Sequence, residues 1–374
     1  MISVDQERIL NEFLELVQID SETKNEETIS GKLKKKFSDL GLEVVEDQAK
    51  EQTGFGSNNL ICTLKGTKDG ADPIYFTSHM DTVAPGAGVK PSVKDGYIVS
   101  DGTTVLGADD KTGLAAMFEA IRYVKENHIE HGDVQFVITV GEESGLVGAK
   151  ALDSSSVKAK YGYALDSDGQ VGDVVIAAPT QAKIHTTIKG KKAHAGVAPE
   201  KGVSAISIAA KAIAKMPLGR IDEETTANIG RFVGGGATNV VADHVEISAE
   251  ARSLEKEKME EQVEKMKSAF ENTALQLGGK AEVDVNVAYP GFKHGEEDQI
   301  VEVVKKAAEK IGRTTTPRKS GGGSDANVIS GYGIPTVNLA VGYEEIHTTD
   351  ERMPVNELVK AAELVAAIIE EAGN

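Results

Sequence analysis

Val134-Gln135-Phe136-Val137-Ile138-Thr139-Val140 runs straight into Gly141-Glu142-Glu143-Ser144-Gly145. The first seven residues are almost continuously apolar, the pattern of a central strand buried on both faces. The two acids stand at its mouth, where a solvated surface role is hard to sustain. Neighbouring side chains on extended backbone point opposite ways. One glutamate can therefore face a metal while the other faces a water as general base.

Elements of the same α/β kind surround this strand. Ile9, Leu10, Phe13, Leu14 and Val17 fall at helical spacing, as do Ile29, Leu33, Phe37 and Leu40, with Gly41 as a stop. Short apolar segments at 42–45, 60–64, 74–76 and 163–165 read as strands, and 113–124 has a helical period. Strands alternating with helices predict an α/β sheet with helices on both faces. The middle of the chain changes character. A strand at 184–188, a helix at 203–216 stopping before Pro217, strands at 229–233 and 245–251, a helix at 256–277 and a strand at 282–288 follow in turn. That order is the split βαβ of a ferredoxin-like sandwich. The βα pattern then resumes at 301–311, 336–339 and 358–369. The expectation is a large α/β domain with a mixed sheet, residues 1–178 and 293–374, interrupted by a ferredoxin-like α+β insert at 179–292.

Composition narrows the function. The chain has 374 residues, enough for two to three domains. Lys+Arg 41 against Asp+Glu 59 gives a net charge of −18, which argues against a general nucleic-acid or anionic-membrane binder. The single cysteine, Cys62, excludes a disulfide framework and multi-cysteine zinc sites, and fits a reducing compartment. The opening MISVDQERILNEF has no basic region ahead of an apolar core, and no apolar run nears the ~18 residues of a membrane span. A cytoplasmic location is expected.

Four further segments carry ligand-type residues. Ser78-His79-Met80-Asp81-Thr82 follows the strand at 74–76, and sites in open α/β sheets gather at strand carboxyl ends. A histidine there can ligate a metal while Asp81 holds its other ring nitrogen. Gly107-Ala108-Asp109-Asp110-Lys111-Thr112-Gly113 opens a helix. Its carboxylates either cap that helix or supply a bridge between two ions. Asp166, in Asp166-Ser167-Asp168-Gly169, reads alone as a turn residue, and His347, in Glu344-Glu345-Ile346-His347, as an ordinary loop histidine. Together they give two histidines and several carboxylates at the ends of separate strands. Nitrogen and oxygen ligands without thiolates suit a catalytic zinc pair, with cobalt or manganese as alternatives. Two metals roughly 3.5–4 Å apart need a bridging carboxylate, which this set supplies.

The order and wording of these motifs resemble the co-catalytic zinc exopeptidases that include peptidase T, carboxypeptidase G, the aminoacylases and succinyl-diaminopimelate desuccinylase. GADDKTG and GEESGLVGA are nearest in wording to the peptidase T-like branch. The resemblance implies that His79 and Asp166 ligate one metal and His347 and Glu143 the other. Asp109 would bridge them, with Asp110 the competing choice. Asp81 would orient His79, and Glu142 would be the general base. Position 166 is Asp rather than Glu, which the family permits. In the insert, His194 of Gly190–Gly196 would reach an active site, often the partner subunit's, and stabilise the oxyanion. Asn239 and Arg252 would contact substrate, Arg252 either clamping a carboxylate or forming a structural salt bridge. The Gly321-Gly322-Gly323-Ser324-Asp325-Ala326 stretch has a family counterpart too, and Gly322 would let a ligand approach the backbone.

The implied activity is metal-assisted hydrolysis of a short peptide after its first residue, under a lid formed by the insert. That insert would also carry a homodimer, with a monomer and a rotating lid as the alternative. A deacylase or carboxypeptidase with the same metal core is the rival enzyme. A non-catalytic binding protein with this fold would normally have lost Glu142 or a ligand, and a serine hydrolase lacks its Gly-x-Ser-x-Gly elbow here.

Overall fold

The run at 134–140 forms the strand Val134–Thr139, with every residue buried. It pairs in parallel with Ile74–His79 and antiparallel with Leu60–Leu64. The computed structural model describes residues 2–374. These divide into two compact units, one of residues 2–177, 293–320 and 324–374, the other of 178–292 and 321–323.

In the first unit a nine-stranded mixed sheet runs, in part, Glu43–Glu46, Leu60–Leu64, Val134–Thr139, Ile74–His79, Tyr161–Ser167, Thr336–Ala340 and Val174–Ala178. The four central strands from Val134–Thr139 to Thr336–Ala340 are mutually parallel, so their carboxyl ends open on one edge. Aromatic packing fixes one face: Phe136 lies 5.8 Å from Phe76 and 6.0 Å from Phe37, which is 4.5 Å from Phe118. The helices Glu27–Asp39 and Ala108–Glu126 supply Phe37 and Phe118, and the long apolar helix Val355–Ala372 packs against the second of them. Ile61, Tyr75, Val137, Leu152 and Ile329 form the core of the opposite face. Helices thus cover both sides, as parallel strands require.

The strand 74–76 read from the sequence extends to His79, whose ladder partner is Thr139. Thr77 and Ser78 are polar, yet both are buried in the sheet. Ser78 Oγ satisfies itself by donating to the Asp110 carbonyl at 3.0 Å. A separate three-stranded sheet joins Ser92–Lys94, Tyr97–Val99 and Arg352–Pro354.

The second unit is a five-stranded antiparallel sheet, ordered Gly219–Arg220, Thr225–Gly234, His244–Ser253, Thr180–Lys189, Lys280–Tyr289. The chain runs strand, helix, strand pair, helix, strand, which is the ferredoxin-like arrangement. Helices Ala205–Ile213 and Lys256–Gln276 cover one face around Ile184, Ile188, Ile208, Ile247 and Phe270. His244–Ser253 alternates buried and more exposed residues along its whole length, the mark of a sheet with one covered face. Among the described residues, no helix is long and apolar enough to cross a membrane.

Candidate active site

Strand ends and the loops after them bring the acidic motifs of the first unit together. His79 closes its strand and is almost wholly buried. Its Nε2 lies 2.9 Å from Asp109 Oδ1. Its Nδ1 lies 3.1 Å from the Asp81 carbonyl oxygen and 3.5 Å from Asp81 Oδ1. The Asp81 carboxylate also accepts the backbone N–H groups of Glu142 at 3.0 Å and Glu143 at 3.3 Å. Asp81 therefore joins the loop after His79 to the mouth of the central strand, besides orienting the imidazole.

Asp109 sits where Gly107 takes a left-handed turn (φ +76°) into the helix Ala108–Glu126. The Asp109–Asp110 peptide is cis, and both residues depart from helical backbone. The buried Asp109 carboxylate lies between two imidazoles: Oδ1 faces His79, and Oδ2 is 3.2 Å from His347 Nε2. The same His347 nitrogen is 3.0 Å from Glu143 Oε1. Asp166 Oδ1 lies 3.9 Å from His79 Nε2, on the other side. Ligand-type atoms of His79, Asp109 and Glu143 lie within 4.8 Å of one another, as do those of His79, Asp110 and Asp166. Asp110 has a local partner in the Gly113 N–H, 3.1 Å from its Oδ1, while its buried Oδ2 has no hydrogen-bond partner.

Electrostatics follow from burying so many acids together. Burial raises the pKa of the Glu142 carboxyl well above its ordinary range, and the negative charges of Asp325, Glu143 and Asp109 add to this. Burial likewise raises Asp166, helped by Asp109 and Glu142. Burial works against the Asp109 carboxylate as well, but the hydrogen bonds from His347 and His79 win and hold it below the carboxylate range. His347 is pushed up to about 10 by hydrogen bonds to Asp109 and Glu143. Asp109 and His347 thus stabilise each other's charged forms, while burial and the neighbouring acids push Glu142 and Asp166 toward their neutral ones.

Several supporting residues were given no role by the sequence, Asn338, Tyr343 and Thr139 because they stand in no motif, and Lys111 and Asp325 although they do. Asn338 clasps the Asp166 backbone, accepting its N–H at 2.9 Å and donating to its carbonyl at 2.5 Å. The Tyr343 hydroxyl donates to Asp166 Oδ1 at 3.0 Å. Thr139 Oγ1 donates to Asp325 Oδ2 at 2.5 Å beneath the strand mouth. Lys111, fully buried, donates from Nζ to the Asp81 carbonyl at 3.2 Å.

The insert's candidates lie within the second unit. His194 is exposed, and its Nδ1 accepts the Gly196 N–H at 3.2 Å. Asn239 is exposed, and its carbonyl accepts the Ala195 N–H at 2.9 Å. Arg252 holds Glu250 side-on, Nε to Oε1 at 2.9 Å and Nη2 to Oε2 at 3.2 Å, and donates from Nη1 to the Gly321 carbonyl at 3.2 Å. Gly322 is exposed beside that carbonyl.

A model of peptidase family M20/M25/M40 matches residues 75–371. The chain belongs to that family. Two solved structures related to this M20/M25/M40 member share its fold with a TM-score of 0.96. One is aminopeptidase PepT of Bacillus cereus ATCC 10987, 71% identical over 99% of this chain and 100% of that one. The other is a tripeptidase of Staphylococcus aureus subsp. aureus Mu50, 54% identical over the whole of both chains. The uncharacterized protein YqjE of Bacillus subtilis (strain 168) is 69% identical over 369 residues, 99% of each chain. Within the M20/M25/M40 family the chain is a peptidase T-like member.

Proposed function

We propose that the chain is a dinuclear-metal aminopeptidase that removes the first residue of short peptides, tripeptides above all. One observation supports the metal reading most: the Asp109 carboxylate offers one oxygen toward His79 and the other toward His347, with Glu143 and Asp166 flanking those imidazoles. Two nitrogen donors and three carboxylates, with no thiolate, form a donor set suited to zinc, with cobalt or manganese as alternatives. His79 and Asp166 would hold one ion, His347 and Glu143 the other, and Asp109 both. When bound, such a pair supplies Lewis acidity toward water and a carbonyl. The substrate class is carried by the PepT and tripeptidase relatives.

The chain's own residues do the rest. Glu142, buried and high in proton affinity, takes the proton of the attacking water and returns it to the departing amine. Asp81 fixes the orientation of His79 and ties it to the Glu142 loop. His194 donates to the oxyanion of the tetrahedral intermediate, in its own subunit or across a homodimer built through the insert. Arg252 still has an N–H on each Nη beyond its bonds to Glu250 and Gly321. These meet the peptide's terminal carboxylate, beside Asn239 and Gly322.

The test uses protein stripped by chelator and reloaded with Zn²⁺, Co²⁺ or Mn²⁺. It is offered a tripeptide, the N-acetylated tripeptide and the matching dipeptide. Metal-dependent release of the first residue from the free tripeptide alone is expected. Cleavage of the acetylated peptide would move the activity to the deacylases, and bound metal without turnover of any peptide would remove the aminopeptidase reading.

A further inference from the structure

Glu351 belongs to no motif, yet it is buried to 2% exposure and its carboxylate accepts three backbone N–H groups from one distant loop. Oε2 receives Leu106 at 2.7 Å and Gly107 at 2.8 Å, and Oε1 receives Asp109 at 3.0 Å. The loop 106–109 turns left-handed at Gly107 and breaks helical geometry at Asp109. Its N–H groups therefore need partners from outside the loop. Glu351 itself stands at the base of the loop that carries His347. That loop is closed by paired bonds between Glu344 and Arg352, both at 3.0 Å, and by the Glu351 N–H donating to the Thr348 carbonyl at 3.2 Å. His347 occupies its tip with a left-handed backbone (φ +63°), which the closed loop imposes.

We infer that Glu351 is a positioning residue that locks the Asp109 loop to the His347 loop and so sets the spacing of these two candidate ligands. This rests on the metal reading proposed above. A carboxylate suits the task because both of its oxygens only accept. A glutamine in the same place has one accepting oxygen, and its amide would turn N–H toward N–H at one of the three sites. Leaving a buried donor unmade is costly, and the neighbouring ligand shifts to relieve it. Glu351 touches no substrate on this account; it acts through Asp109.

The experiment compares Glu351→Gln and Glu351→Asp with the wild type. It reads Co²⁺ or Zn²⁺ affinity by competition with a chromophoric chelator, and the thermal midpoint of the metal-free protein. Residues that orient metal ligands typically change affinity about 10–100-fold when replaced. Glu351→Gln should weaken metal binding by that order, and Glu351→Asp, which keeps two accepting oxygens, should recover part of it. Glu119→Gln is the structural control, since Glu119 is as buried as Glu351 and its carboxylate pairs with the half-buried Arg8 rather than with a candidate ligand loop. It should lower the thermal midpoint and leave metal affinity unchanged. Unchanged affinity in both Glu351 variants, or an equal loss in Glu119→Gln, would overturn the inference. Asp109→Asn separates this from the underlying reading. If that variant keeps wild-type metal affinity, the metal assignment fails itself; if it loses metal while the Glu351 variants do not, only the positioning role falls.

Discussion

His79 and His194 are both in motifs, but the structure treats them differently. His79 is buried at a strand end, with a partner on each ring nitrogen. His194 is exposed in a loop, where its imidazole Nδ1 accepts the Gly196 N–H two residues on. The same contrast separates Asp109, which bonds two imidazoles, from Asn239, whose backbone carbonyl accepts the Ala195 N–H. The acids of the first unit complete one another within that unit. His194 and Asn239 stand exposed in the second unit, where Arg252 is held by Glu250 and the Gly321 carbonyl. A fixed constellation binds a cofactor well, and a presented side chain suits a ligand that comes and goes.

Substitutions can break or sharpen that contrast. Glu142→Gln removes the proposed general base but leaves the proposed ligands, so kcat should fall by on the order of 10³-fold with metal content intact by elemental analysis. Loss of bound metal together with activity would instead make Glu142 part of the fixed constellation. His194→Ala should lower kcat by about 10²-fold, without change in metal affinity or thermal midpoint. A fall in metal affinity there would erase the distinction between the two histidines. Arg252→Lys keeps a charge but not the planar fork. KM for a tripeptide should rise about tenfold, while the corresponding tripeptide amide, lacking the carboxylate, should be affected little in steady-state assays. Lys183→Ala alters an exposed residue on the same sheet with no role in this reading. Its kcat/KM should stay within about twofold of the wild type.

Much of this was legible in the sequence because burial and period leave marks. The Val134–Thr139 strand announced itself by an apolar run too dense for a half-exposed strand. The stretch at 245–251 read as a strand, and the structure extends it to His244–Ser253. Other parts left none. Val174–Ala178, not read as a strand, joins the antiparallel side of its sheet through only two residue pairs with Thr336–Ala340. The Arg352–Pro354 strand is three residues long and pairs with Tyr97–Val99, which nothing local could signal. The glycine run at 321–323 masked a helix starting at Asp325, although Ser324 and Asn327 form its capping box. Glu351 was invisible for a plainer reason. Its partners are backbone N–H groups, and those are present at nearly every residue whatever the side chain.

The site's wiring also dictates when it can exist. The bond from His347 to Asp109 spans 238 positions of sequence, and the one from Asp109 to Glu351 spans 242. Contacts of such high order form late, after long stretches of chain are already ordered. A nascent polypeptide of 340 residues would hold His79, Asp109, Glu142, Glu143 and Asp166 but neither His347 nor Glu351. A fragment ending before His347 and Glu351 therefore lacks one side of the site, and it also lacks the buried helix Val355–Ala372 that packs on the helix Ala108–Glu126.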